Sequence, residues 1–388
     1  MITGDELQSR IRAMQALLKE QQLDGALFIF PIDVYYFSAT RQNGALWMPV
    51  EGTPTLLIRK SYERARRESP LSDIRPFPSS REFPGVIPET ATRIGMTFDV
   101  VPVQQRDYYA RLLAGREFVD ISPFNRQLRS VKSPAELEML RRSGTSLSAV
   151  FAEVPQFLVA GMREIDLAAE FECRLRKAGS EGYVRMRAFN QELFQGLAVS
   201  TGGPSFGFFD GAVTGRGLSN ASPHGASLEV VERNTPILLD YTGVFQGYIT
   251  DMTRIFVMGD LDEELKHAFD VSLSIQEMLR ASLKPGAICE ELFLQAAEMA
   301  AQAGLKDNFM GMPGEQARFV GHGVGLELDE FPVLAQGFKM ALQQGQTVAI
   351  EPKFVFPEKG VIGIENTFAV TAEGGDKLTE LPDNIVFM

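Results

Sequence analysis

The chain has 388 residues, 45% of them hydrophobic, and a formal net charge of −12. That length suggests two domains or one large one, with ample apolar material for a core. The acidic balance argues against nucleic acid or an anionic membrane surface as a partner, because both are polyanions.

Residues 1–130 read as an alternating α/β unit. Arg10–Leu18 has helical periodicity. The apolar run Gly25–Phe30, bounded by Gly25 and Pro31, reads as a buried strand, and Thr55–Ile58 and Arg93–Phe98 read as further strands. No metal-ligand cluster and no nucleophile with a base falls in this part, so it is expected to be a scaffold or a lid. A boundary follows at Ser133, which can cap a helix with Pro134 at its first position and Glu136 three residues on. That helix opens a second domain, residues 131–388.

The second domain carries a faint repeat. Gly161 opens an amphipathic helix that Gly179 closes, and Gly286 opens another that Gly304 closes, 125 residues later. Two related α/β halves about a pseudo-twofold would produce this pattern, and so would a chance match of two helices. Cys173 and Cys289 lie in these helices and are expected to be buried free thiols. Two cysteines make no disulfide framework, which points to a reducing, cytoplasmic home. No stretch approaches the ~18 apolar residues of a membrane span. The N-terminus lacks the basic-then-apolar pattern of a signal peptide.

Asp240, Asp251, His322, Glu351 and Glu365 carry the chemistry. All five sit in apolar or Gly-rich contexts that read as buried strand, and the chain has only three His. A buried carboxylate is costly unless it is paired or coordinates a metal. Asp240 and Asp251 flank a segment with Gly243 and Gly247 as turn residues, a hairpin signal that would set the two carboxylates side by side. His322 lies in Val-Gly-His-Gly-Val-Gly. Glu351 and Glu365 bracket a second hairpin, with Pro352, Pro357 and Gly360 in its connection. Such hard, oxygen-rich ligands suit Mn²⁺ and related ions. Two ions would use all four carboxylates, make a bridging water nucleophilic and polarise a carbonyl. Hydrolysis of an amide or ester is the natural chemistry. A structural metal and an ion-pair network remain open on the residues alone.

Residues 231–370 resemble the pita-bread metallopeptidases, which include Xaa-Pro aminopeptidases, prolidases and methionine aminopeptidases. The matching segments are Leu239–Gly243, Gly247–Arg254, Gly321–Leu326 with Glu330 and Pro332, Ile350–Pro352 and Gly363–Glu365. The first part resembles the creatinase-type amino-terminal domain of the Xaa-Pro branch, which methionine aminopeptidases lack. The resemblance implies an α/β (α+β) fold: a pita-bread catalytic domain with pseudo-twofold halves behind a smaller α/β domain. It implies a homodimer that cleaves a short peptide at an N-terminal Xaa-Pro bond with two divalent ions, Mn²⁺ first, with Co²⁺, Zn²⁺ or Fe²⁺ as alternatives. Asp240 would bind one ion, Asp251 and Glu365 would bridge, and His322 and Glu351 would bind the other. Glu351 would exchange a proton with the bridging water. His224 would steady the tetrahedral intermediate. His267, on a charged helix, reads as a surface residue.

Three positions depart from that pattern. Asp329 stands where the family usually has a second His, seven residues after His322. It can accept but not donate a hydrogen bond, so it would favour a cationic group of the substrate, and the loss of the His leans toward longer peptides. Gly363 replaces an Arg that pairs with a ligand carboxylate, and Asn366 replaces an Asp. A pita-bread enzyme acting on a small non-peptide molecule, or a non-catalytic binding homologue, is the alternative reading.

Overall fold

A computed structural model describes residues 2–187, 195–200 and 211–388. They fall into two compact units, residues 2–129 with Arg187, and residues 130–186, 195–200 and 211–388.

The first unit is built on a six-stranded mixed sheet in the order Ile74–Pro76, Thr55–Ile58, Gly44–Pro49, Gly25–Phe28, Arg93–Met96, Glu117–Asp120. The helix Gly4–Glu20 starts at Thr3, whose hydroxyl accepts from the Glu6 N–H, and buries Leu7, Ile11, Met14 and Leu18 along one stripe. The first strand stops at Phe28, two residues short of the apolar run. Pro31 supplies the fixed φ of a helix start, and the helix Pro31–Ser38 follows at once. On that helix Asp33 is fully buried. It accepts from Thr97, Asn125, Arg129 and Arg187, all within this unit.

The first helix of the second unit has the cap that its sequence suggests. Ser133 and Glu136 form a reciprocal capping box at the head of the helix Pro134–Glu153. The two repeat helices are Glu164–Lys177 and Cys289–Gln302, and both their starts and their ends are 125 residues apart. They also finish alike. Ser180 N–H bonds Leu175 C=O past Gly179, and Leu305 N–H bonds Ala300 C=O past Gly304, the same helix-closing bond 125 residues on. A 20-residue helix precedes each, Pro134–Glu153 and Glu263–Ser282. The shared offset at both ends and in both closing bonds favours two related halves over chance.

Each half packs its helices on its own strands. Leu147, Phe151, Phe171 and Tyr241 share one core, with the Phe171 and Tyr241 rings 4.3 Å apart. Leu265, Phe269, Leu292, Val320 and Ile350 share the other. Among the described residues, one sheet runs Val386–Phe387, Tyr248–Val257, Ile237–Phe245, Gly196–Val199, and the other Leu328–Ala335, Phe319–Val324, Thr347–Ile350, Asn366–Val370, Gly375–Lys377. A bridge between Thr253 and Glu365 joins the halves at the site.

Cys173 departs from expectation. It is exposed, while Cys289 is buried. Cys173 lies off the stripe of Leu167, Phe171 and Leu175 that its helix turns to the core.

Candidate active site

The first hairpin pairs Ile237–Phe245 with Tyr248–Val257 through a two-residue turn at Gln246 and Gly247, with φ of 53° and 84°. Positive φ at both positions makes a turn whose twist matches the strands. Gly243 is not in that turn, contrary to expectation. It lies within the strand opposite Thr250, where an added Cβ would come 3.1 Å from the Leu147 Cβ. Asp240 stands opposite Thr253, and Thr242 opposite Asp251. The period of two therefore puts all four on one face, with the carboxylates on diagonal rungs. Thr367 holds Asp251 in place: its hydroxyl accepts from the Asp251 N–H at 2.9 Å and donates to the Asp251 carbonyl at 3.0 Å.

His322 comes from the strand Phe319–Val324, opposite Ala349 on one side and Val333 on the other. The second expected hairpin also forms. Lys353–Phe356 pairs with Gly360–Gly363 around Pro357, Glu358 and Lys359, and Pro352 lies before it rather than in its connection. Ile350 faces Asn366 and Lys353 faces Gly363, so one register puts Glu351 level with Glu365.

These elements bring the five residues together. His322 Nε2 lies 3.5 Å from Glu351 Oε1 and 3.9 Å from both Asp251 Oδ2 and Glu365 Oε1. Asp251, His322 and Glu365 each offer a ligand atom within 4.8 Å of the others. Donors around an ion at ~2.1 Å stand roughly 3.0–3.4 Å apart, so a small inward adjustment would close them on a cation. Glu365 Oε1 is buried without a hydrogen-bond partner, while Glu365 Oε2 accepts from Thr253 Oγ1 at 2.8 Å. An orphaned carboxylate oxygen beside an imidazole nitrogen and a second carboxylate is what a divalent ion would satisfy. The donor set fits such an ion.

Lys353 joins this group, and the sequence pattern did not single it out. Its Nζ donates to Asp240 Oδ2 at 2.7 Å, Glu351 Oε2 at 2.8 Å and Glu365 Oε2 at 2.9 Å. The signal was present, since residues two apart in extended chain share a face and Lys353 follows Glu351 by two. The carboxylate that Gly363 leaves without its usual Arg is thus paired from the opposite strand. Arg254 lies behind the site with its side chain fully buried. It donates to the carbonyls of Thr253 and Glu365, to Asn366 Oδ1 and to Asp383 Oδ1, each at 2.8–2.9 Å. Asp383 supplies the negative charge that Asn366 does not.

The electrostatics follow from this crowding. Burial, with Glu365 and Asp240 nearby, holds the Asp251 carboxyl well above the ordinary range. Burial raises Asp240 and Glu365 too, against the opposing pull of Lys353. Burial alone would lower His322, but Asp329, Glu351 and Glu365 outweigh it and raise it. A divalent ion would relieve the same repulsion that lifts these carboxyls.

A cavity of about 110 Å³ opens over the cluster, lined by Asp240, Asp251, His322, Glu351 and Glu365 together with His224 and Asp329. All seven sequence-predicted site residues therefore meet at one place. His267 is exposed on its helix, as expected. Asp329 has a second contact the sequence did not suggest, because its Oδ1 lies 3.1 Å from His322 Nδ1.

Comparison with known proteins gives consistent results. Residues 138–372 match the profile of metallopeptidase family M24, and residues 10–131 that of the creatinase/prolidase N-terminal domain. A relative from Pyrococcus furiosus, an Xaa-Pro dipeptidase, is 26% identical over 378 residues, covering 96% of this chain and 98% of its own. An Xaa-Pro dipeptidase from Bacillus anthracis superposes with a TM-score of 0.83 at 23% identity, covering 98% of this chain and 100% of its own. The prolidase of Pyrococcus horikoshii OT3 gives 0.80 at 24%, with 97% and 100% covered.

Proposed function

This chain belongs to metallopeptidase family M24, and from that premise we propose that it hydrolyses short peptides at an N-terminal Xaa-Pro bond. The observation that carries the proposal is the buried group of Asp251, His322 and Glu365, with Asp240 and Glu351 beside it, at the floor of the cavity. Two relatives that align over almost the whole chain are Xaa-Pro dipeptidases, which supports a dipeptide over the longer substrate that Asp329 alone would suggest.

Asp240, Asp251, His322, Glu351 and Glu365 are the residues that would hold metal. A bound divalent ion supplies a water of lowered pKa and a Lewis acid for the scissile carbonyl. The four carboxylates match the charge of two ions, and their hardness favours manganese. Glu351 would take a proton at Oε1 and pass it to the leaving amine. His224 also lines the cavity, and its ring would stabilise the developing oxyanion through a nitrogen donor. Asp329, with 45% of its side chain exposed, offers a carboxylate to the substrate's amino-terminal ammonium. A homodimer and a cytoplasmic home complete the reading. Two unpaired cysteines support the latter.

The test is direct. Chelator-stripped protein is assayed on Xaa-Pro dipeptides and Xaa-Pro-Yaa tripeptides before and after Mn²⁺ is restored. Metal-dependent release of proline from the dipeptide is expected. The absence of metal-dependent cleavage on every peptide would sink the proposal, and the dipeptide-to-tripeptide ratio decides between dipeptidase and aminopeptidase.

A further inference from the structure

The site divides into two unlike sides. On one side His322 Nε2, Asp251 Oδ2 and the unpartnered Glu365 Oε1 face one another, with no side-chain cation between them among the described residues. On the other, the Lys353 ammonium spends all three of its protons on Asp240, Glu351 and Glu365. Lys353 is fully buried, and the fold makes room for it. Its cross-strand partner is Gly363, where an added Cβ would come within 2.7 Å of the Lys353 Cγ.

We propose that Lys353 is a resident counter-cation that makes the two metal positions unequal. The His322 side takes a divalent ion readily. The Asp240 side takes one only by displacing the ammonium. This rests on the metal-binding reading above and extends it.

Charge and competition both point this way. Four carboxylates and one ammonium leave a formal charge of −3. A first divalent ion reduces that to −1, whereas without Lys353 a second ion would meet −2. The difference acts at a few ångströms in a buried site, where one unit charge weighs far more than in water. A second ion must also take Asp240 Oδ2 from a charge-assisted hydrogen bond of 2.7 Å.

Chelator-stripped, full-length protein is titrated with Mn²⁺ by calorimetry, and the metal retained after gel filtration is counted by elemental analysis. Wild type should retain one ion per chain and take the second only at concentrations at least ~100-fold higher, two decades being ~2.7 kcal/mol. Lys353→Met keeps the apolar stem without the charge, and it should narrow that gap at least tenfold. Lys353→Arg should keep the gap. In the stripped state Lys353→Met should melt below wild type, since the carboxylates lose their cation, and saturating Mn²⁺ should close the difference. This last readout holds even if the variant folds poorly. Two ions bound by wild type with one affinity, or a gap unchanged in Lys353→Met, would overturn the inference. No ion bound by wild type would instead overturn the metal reading beneath it.

Discussion

Asp329 Oδ1 lies 3.1 Å from His322 Nδ1, while Nε2 of the same ring faces Glu351 at 3.5 Å. A carboxylate on the far nitrogen fixes the tautomer that presents Nε2 as a ligand and makes it more basic. Asp329→Ala should therefore weaken Mn²⁺ binding by about 10- to 100-fold, read by competition with a fluorescent chelator. An unchanged affinity with a raised KM would place Asp329 on the substrate alone. The residue has φ of 59°, a region where Asp, Asn and His are the enriched non-glycine residues. The backbone thus suits His as well as Asp, and Asp329→His should fold normally.

Glu351→Gln keeps the shape and removes the proton acceptor. The expected loss in kcat on an Xaa-Pro dipeptide is about 10²- to 10⁴-fold. A loss under threefold at full metal occupancy would remove Glu351 from the proton transfer.

Arg254 ties the strand bearing Asp251 to the Glu365–Asn366 segment and to Asp383. Truncating it leaves the Glu365 carbonyl and Asn366 with fewer partners and Asp383 without this one. Arg254→Met should lower unfolding free energy by about 3–5 kcal/mol in urea titration. A change under about 1 kcal/mol would contradict the role given to this network.

Asp33 makes the first unit sensitive to acid in a defined direction. Burial alone would raise its carboxyl, but Arg187 and Arg129 outweigh that and hold it below the ordinary 3.8. A depressed folded-state value contributes stability that is complete above 3.8 and disappears as pH falls through the folded value. Asp33→Asn removes this contribution. The wild-type advantage over Asp33→Asn should be constant from pH 7 to pH 5 and shrink only below pH 3.8, measured by urea unfolding of this unit. An advantage that shrinks between pH 7 and pH 5 would be inconsistent with the depressed value.

The cysteines separate cleanly. Cys173 is exposed, and burial pushes the Cys289 thiol up to about 12. A thiol reagent should modify one cysteine per native chain, at Cys173, and the second only on unfolding. Mass spectrometry of the labelled peptides settles it.

The features legible in the amino-acid sequence are those with local causes. The cap at Ser133, the turn at Gly247 and the repeat ended by Gly179 and Gly304 each rest on residues whose backbone preferences act within a few positions. The carboxylates ending apolar runs were legible because burial of charge needs a cause. What escaped depended on partners far along the chain. Gly243 reads as a turn until Leu147, about a hundred residues earlier, comes to pack against it. Cys173 shares a helix with buried residues, and only the angle of that helix exposes it. Lys353 reads as an ordinary strand lysine until Asp240 arrives from the other half. Asn366 reads as a lost charge until Asp383 returns it.

The rung shared by Lys353 and Gly363 limits how this site can change. It has space for one long cationic side chain. Arginine at 363 with lysine still at 353 would overfill it, since even a Cβ at 363 meets Lys353 Cγ and the Pro352 carbonyl at 2.7 and 2.6 Å. Glycine at 353 with glycine still at 363 would leave the carboxylates without their cation. Glycine at 353 removes the Lys353 Cγ contact but leaves the Pro352 carbonyl 2.6 Å from a Cβ at 363, so moving the cation to the other strand also asks the backbone to shift. The carboxylates can therefore draw their cation from one strand at a time, and a change of strand is a matter of main chain as well as side chain.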